Sequence, residues 1–286
     1  MTDIMWFAYS SGYVAVGCFM LVMAKKFFDL LTPYSLEVQL TTKDNTAVGV
    51  LLGGYLAGVA AVLCGVFIGD TAELTFAAFL SELGPAIGYG FLGIVLLFIA
   101  GIVNDKAILH SFSNTVEIIT RRNTAVALVM GAGYLGSGII IAAGIIACSG
   151  VLSAILSFVV AQAALVGFCM LYQKLTAYDD QKELGEEQNV AAGLGTAGSM
   201  IAYSMIVAKG LASREMEWSQ LDNLLNLLYY AIGGCILLFV ARFICDRLFL
   251  PKSAISVEIV KDRNLNAGIL EAVLAISLGA ILLCCL

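Results

Sequence analysis

An asparagine that opens a long apolar run recurs four times in this chain, and the recurrence restricts it to a small set of architectures. Asp44-Asn45-Thr46-Ala47-Val48-Gly49 returns as Arg122-Asn123-Thr124-Ala125-Val126-Ala127 and as Gln188-Asn189-Val190-Ala191-Ala192-Gly193. A looser fourth copy is Arg263-Asn264-Leu265-Asn266-Ala267-Gly268. With 60% hydrophobic and 13% charged residues and a mean hydropathy of +0.95, the chain lies outside the range of soluble domains. Apolar runs long enough for a bilayer, about 20 residues each, fall near 5–28, 46–69, 84–104, 123–147, 150–174, 189–209, 224–246 and 264–286. Backbone groups in lipid must be satisfied within a segment, so these runs are expected to be helices. A membrane β-barrel needs apolar and polar residues in alternation, and Val95-Leu96-Leu97-Phe98-Ile99-Ala100 does not alternate. The expected fold is an all-α polytopic membrane protein: eight transmembrane helices arranged as four hairpins.

Charge sets the expected orientation. Thirteen of the fifteen basic residues fall in the segments between spans 1–2, 3–4, 5–6 and 7–8 or in the span ends that border them, and the opposite side holds Lys209 and Arg214 alone. By the positive-inside rule the rich side is cytoplasmic, which puts both termini outside. The outer side also carries seven acids: Asp3, Asp70, Glu73, Glu82, Glu215, Glu217 and Asp222. The first run has no basic leader and continues into Lys25-Lys26, so it reads as a retained helix. The eight cysteines (18, 64, 148, 169, 235, 245, 284 and 285) form no Cys-x-x-Cys pair and lie mostly in apolar runs, where they act as small hydrophobes. No metal or cofactor is expected.

The copies are related in two steps. Leu31-Thr32-Pro33-Tyr34 aligns with Leu175-Thr176-Ala177-Tyr178, which relates repeats one and three at an offset of 144. Val116-Glu117-Ile118-Ile119 aligns with Val257-Glu258-Ile259-Val260, which relates repeats two and four at 141. A hairpin that doubled, and then doubled again, accounts for both offsets. It yields two four-helix units, 1–148 and 149–286, whose repeats all point the same way, unlike the inverted repeats of many carriers.

The Thr-Pro-Tyr step, the Glu-containing stretch, Asn-Thr-Ala-Val and the glycine-rich span together resemble the bacterial YjfL-like inner-membrane proteins, domain of unknown function 350. Ala177 replaces the proline in repeat three and Asn266 the motif alanine in repeat four. The resemblance implies a multi-pass bacterial plasma-membrane (inner-membrane) protein encoded near polyamine or ATP-grasp enzymes and envelope-stress genes. It brings no catalytic residue with it.

Physically, Asn45, Asn123, Asn189 and Asn264 read as helix N-caps whose side chains take up first-turn N–H groups; a ring of four asparagines around an entrance is the functional reading. Positions +4 and +8 from each Asn are small: Gly49 and Gly53, Ala127 and Gly131, Gly193 and Ala197, Gly268 and Ala272. Such stripes let membrane helices approach closely, so the even spans are expected to pack centrally. Glu271 stands seven residues past its cap, inside a span, where an ionisable group is costly and by default functional. Its counterpart in repeat two is Met130, and that of Arg242 is Gly101. The two charges are absent together from one half and present together in the other, which predicts an ion pair. Glu117 and Glu258, each six residues before a capping Asn, are candidate docking acids of the inner loops.

Two functions follow as expectations. The first is a channel or carrier for a small ion or solute, a cation or a polyamine-like molecule, and the alternative is a membrane scaffold or envelope-stress component that docks cytoplasmic partners through its inner loops. An enzyme is not expected, since no paired Asp, no HExxH and no Ser/His or Ser/Lys constellation is present. Expected partners are the lipid bilayer, a small ion or polyamine, a cytoplasmic protein and a second copy of the chain, with no nucleic acid.

Overall fold

The computed structural model describes residues 2–68, 75–147, 150–212, 221–249 and 254–285; Asp70, Glu73, Cys148, Arg214, Glu215 and Glu217 lie outside them, as do the side chains of Asp3 and Cys245. The described residues are helical throughout: α1 (Thr2–Leu31), a π-helical turn (Val38–Thr42), α2 (Thr46–Phe67), α3 (Phe76–Ala107), α4 (Asn114–Ile119), α5 (Thr124–Ala147), α6 (Val151–Leu175), α7 (Asp180–Gly185), α8 (Val190–Ala212), α9 (Leu221–Phe249), α10 (Ile255–Val260) and α11 (Leu265–Cys285). Each repeat is therefore a long helix, a short helical link and a second long helix. Among the described residues seven helices are long and apolar enough to cross a membrane, which makes the bilayer their surroundings. The remaining expected span, 5–28, is helical within α1 but is not one of the seven.

The repeated motif is a helix-to-helix corner. The residue before each Asn is left-handed, with φ of 46° at Asp44, 52° at Arg122, 52° at Gln188 and 46° at Arg263. Each Asn N–H then donates to the carbonyl six residues back, at 2.9 Å in all four copies: Gln39, Glu117, Glu183 and Glu258. That bond, closed over a left-handed residue, turns the chain out of the short link and into the next long helix. The same Asn caps the next long helix: Asn123 Oδ1 accepts from the N–H groups of Ala125 (3.0 Å) and Val126 (3.2 Å). One residue thus ends one helix and begins another, with the same spacing in all four copies.

The Asn amide group joins neighbouring repeats. Asn45 Nδ2 donates to the Ile118 carbonyl (2.9 Å), Asn123 Nδ2 to that of Leu184 (2.7 Å) and Asn189 Nδ2 to that of Ile259 (2.8 Å). The second amide hydrogen goes to the side chain at −6, which is Gln39, Glu117, Glu183 or Glu258. Glu117 and Glu258 therefore hold caps in place, and Glu117 also pairs with Arg121 at 2.9 Å. The first three asparagines are at most 2% exposed and fully bonded, so they latch repeats together rather than ring an opening. Asn264 makes no cross-repeat bond among the described residues.

Asn123→Ala should cost about 2–4 kcal/mol, a cap plus buried partners left unsatisfied, and Asn264→Ala about 1 kcal/mol. Thermal unfolding of both variants in one detergent checks this, and equal losses would remove the latch.

The second helices of the repeats lie in a row, α2 on α5, α5 on α8 and α8 on α11. Backbones meet at the seams. A Cβ on Gly54 would lie 2.5 Å from the Gly131 carbonyl oxygen, and one on Gly268 would lie 2.6 Å from that of Ala191. The first helices pack outside the row and expose Phe7, Phe91 and Leu152. Gly49 and Gly53 correct the small-residue expectation. A Cβ on Gly53 would meet nothing within 4 Å, and one on Gly49 only the Leu40 side chain at 3.8 Å. The +4/+8 face of α5, α8 and α11 turns toward the preceding repeat; no described row helix meets that face of α2, whose seam runs through Gly54 and Gly58.

Candidate functional site

The chemistry-bearing groups of the second unit converge at the Asn end of the row. Arg242 comes from α9 and Glu271 from α11. Arg242 Nη2 lies 2.7 Å from Glu271 Oε1, with the carboxylate side chain 4% exposed and the guanidinium side chain 25%. Tyr172 of α6 closes the pair from the side. Its hydroxyl donates to Glu271 Oε1 (3.3 Å), and its ring centroid lies 4.8 Å from the guanidinium carbon. Gly195 of α8 makes room for the acid, since a Cβ there would lie 2.7 Å from Glu271 Oε2.

A second carboxylate sits beside the pair. Asp180 opens α7 and is 1% exposed. It accepts hydrogen bonds from the hydroxyls of Thr176 and Thr196, the latter at 3.3 Å. Burial pushes its carboxyl up to about 6, against the lowering effect of the Thr176 bond and the Arg242 charge. Tyr178, in the turn before α7, is also pushed up by burial and by the charges of Glu271 and Asp180, with Arg242 acting in the opposite sense. The cavity against Arg242 and Glu271 is about 30 Å³ and is walled by Phe168, Tyr172, Phe239 and Leu274. That is space for a water molecule or a bare ion.

The first unit shows what the repeat looks like without this chemistry. At the two sequence offsets Asp180 corresponds to Leu36, Thr196 to Leu52, Tyr172 to Phe28, Arg242 to Gly101 and Glu271 to Met130. The space left by Gly101 is filled by Tyr134, whose ring would lie 2.5 Å from a Cβ at 101. The counterpart of Tyr134 is Ala275. One unit packs its corner with aromatic and aliphatic groups, including the edge-on rings of Tyr55 and Tyr134 at 5.3 Å, and the other with charges.

Sequence reasoning named Glu271 and Arg242 but missed Asp180, Thr196 and Tyr172. It also missed a closed polar triad between the units. Ser137 Oγ donates to Gln162 Oε1 (2.9 Å), Gln162 Nε2 to Asn104 Oδ1 (2.8 Å) and Asn104 Nδ2 to Ser137 Oγ (3.5 Å). The triad ties α3 and α5 to α6, and its satisfied donors suit a role as interhelical glue. The available signal was three polar side chains within apolar runs.

The model of one family, Domain of Unknown Function (DUF350), matches residues 5–145 and again 146–286. Neither the curated proteins nor the solved structures compared with the chain match it.

Proposed function

Since the chain belongs to the family Domain of Unknown Function (DUF350), whose description assigns no activity, we propose a function from its own residues: a channel or carrier for a proton or another small ion. The observation that supports this is the coordinated change at five aligned positions, which replaces an apolar corner with Asp180, Thr196, Tyr172, Arg242 and Glu271. A packing role alone is met by Leu36, Leu52, Phe28, Gly101 and Met130 in the same fold. Ionisable groups within a membrane bundle carry a cost that selects for use. The reading includes eight spans, with α1 as the first, both termini outside, and a bacterial inner membrane as the location. The Asn end is then cytoplasmic.

Asp180 is the titrating member. Its folded pKa of about 6 lies above the unfolded value of about 3.9, so the folded state holds the proton more tightly. Stability is greatest below the unfolded value, falls as pH rises toward 6, and is level above it, a change of about 3 kcal/mol at most. Asp180→Asn should flatten that dependence and raise the melting temperature at pH 7.5.

The deciding measurement is ion flux in proteoliposomes across a panel of protons, sodium, potassium and chloride between pH 5 and 8. Flux should change with a midpoint near pH 6 in the native protein and lose that midpoint in Asp180→Asn. Maleimide labelling of Lys182→Cys in intact cells reports orientation, and labelling from outside reverses it. No flux for any ion at any pH would leave the scaffold reading in its place.

A further inference from the structure

The opposite end of the first unit carries a cavity of about 610 Å³ between α1, α2 and α3, bordered by Trp6, Tyr9, Tyr13, Phe67, Glu82 and Tyr89. Its floor is an aromatic cluster. Ring centroids lie 5.4 Å apart for Tyr9 and Tyr13, 5.1 Å for Tyr13 and Phe67, 5.4 Å for Tyr13 and Phe79, and 5.6 Å for Tyr9 and Phe79. Gly12 admits the Phe79 ring, which would lie 2.9 Å from a Cβ there. Within this cluster Glu82 Oε2 accepts hydrogen bonds from both tyrosine hydroxyls, that of Tyr13 at 2.8 Å. Among the described residues no basic side chain pairs with Glu82 or lines the cavity.

From this arrangement we propose that the cavity is a binding site for an organic ammonium group, carried by a free amine or by the headgroup of a phospholipid. Ring faces present the negative part of their quadrupole to a cation, and one carboxylate held by two phenols supplies the counter-charge. A bare metal ion is a poor match. Calcium takes six to eight oxygen ligands and magnesium near-octahedral geometry, whereas this site has one carboxylate among rings. The volume lies within the ~300–1,000 Å³ of small-molecule pockets. The repeat does not need the cluster for packing: Tyr9, Tyr13, Phe67 and Glu82 correspond to Ser153, Ser157, Leu211 and Asn223 in the second unit. The site stands apart from the ion site at the Asn end, so either reading can fail without the other.

Choline and its uncharged isostere 3,3-dimethylbutan-1-ol are suitable probes, read by Trp6 emission in full-length protein carrying Trp218→Phe. Choline should give a saturable change, and the isostere should bind at least tenfold more weakly. Glu82→Gln should weaken choline at least tenfold, and Tyr13→Leu, which removes a ring face and a phenol, should do the same if Glu82→Gln fails to fold. Equal affinity for choline and the isostere, or unchanged choline affinity in the variants, overturns the proposal. Repetition in nanodiscs separates the sources. A choline response suppressed by phosphatidylethanolamine but retained in phosphatidylglycerol supports a headgroup, and an equal response in both supports a free amine.

Discussion

Gly138→Ala is expected to break the row of helices, and Gly138→Leu to prevent folding. A Cβ at 138 would lie 2.6 Å from Gly58 Cα on the facing helix, and Gly58 in turn approaches the Tyr134 carbonyl at 2.5 Å from its own ideal Cβ. Both obstacles are backbone, so no rotamer change relieves them, and α2 must move off α5. Packing of membrane helices draws little on the hydrophobic effect, because lipid is as apolar as the helix surface; it rests on close van der Waals contact and interhelical hydrogen bonds. Separating two helices by even part of an ångström forfeits a large share of that contact. The loss should exceed about 4 kcal/mol for leucine, at the upper end of overpacking effects. Gly53→Ala is the control. It meets nothing within 4 Å and gains helix propensity worth about 1 kcal/mol. Unfolding in a denaturing-detergent titration compares the three. Gly138→Ala unfolding with Gly53→Ala would mean that the seam is not where the stability lies.

Much of this row was legible in the sequence, and the misreadings have a geometric origin. The row helices α5 and α8 each have two working faces, one for the repeat before and one for the repeat after. A small-residue stripe at +4 and +8, common to all copies, finds only the face turned backward. It is right for Gly131, Gly193 and Gly268, which meet Val50, Ala125 and Ala191. It fails at Gly49 and Gly53, where no described row helix meets that face. The forward face at +9 and +13, Gly54 and Gly58, is visible in the sequence but has no meaning until the order of helices is known. The asparagines were readable as caps because capping is local chemistry. Their cross-repeat bonds were not, because a carbonyl acceptor carries no sequence signal.

Asp180 was missed for a different reason. Acids in a polar link between spans are ordinarily solvated, and Asp179-Asp180 looks like any such pair. Asp179 does cap α7, accepting from the Lys182 N–H at 3.2 Å, while Asp180 is turned inward against Thr196. Only the fold-back of α7 onto α8 separates the two. Glu271 and Arg242 were legible because an apolar run makes a charge conspicuous, and because both are missing from the aligned half.

That alignment supplies the sharpest test of what the charges do. Arg242→Met alone leaves Glu271, 4% exposed, without its ion-pair partner, and breaking a buried pair in this way costs about 3–5 kcal/mol. The loss should fall near the lower figure, since the guanidinium side chain is 25% exposed and water weakens the pairing. Glu271→Met alone strands the cation instead, with a similar or smaller loss because an arginine can reach toward solvent. The double variant Arg242→Met/Glu271→Met removes both charges and places methionine where Met130 already stands in the first unit. Replacing both members of a buried pair by apolar groups is often neutral or stabilising, so the double variant should melt within a few degrees of the native protein. Flux then separates stability from use. If the pair serves ion movement, the double variant folds and is silent; if it serves packing, the double variant folds and conducts as before. A double variant as unstable as either single one would show that Tyr172 and Gly195 have shaped the corner too closely around the charges for apolar groups to replace them.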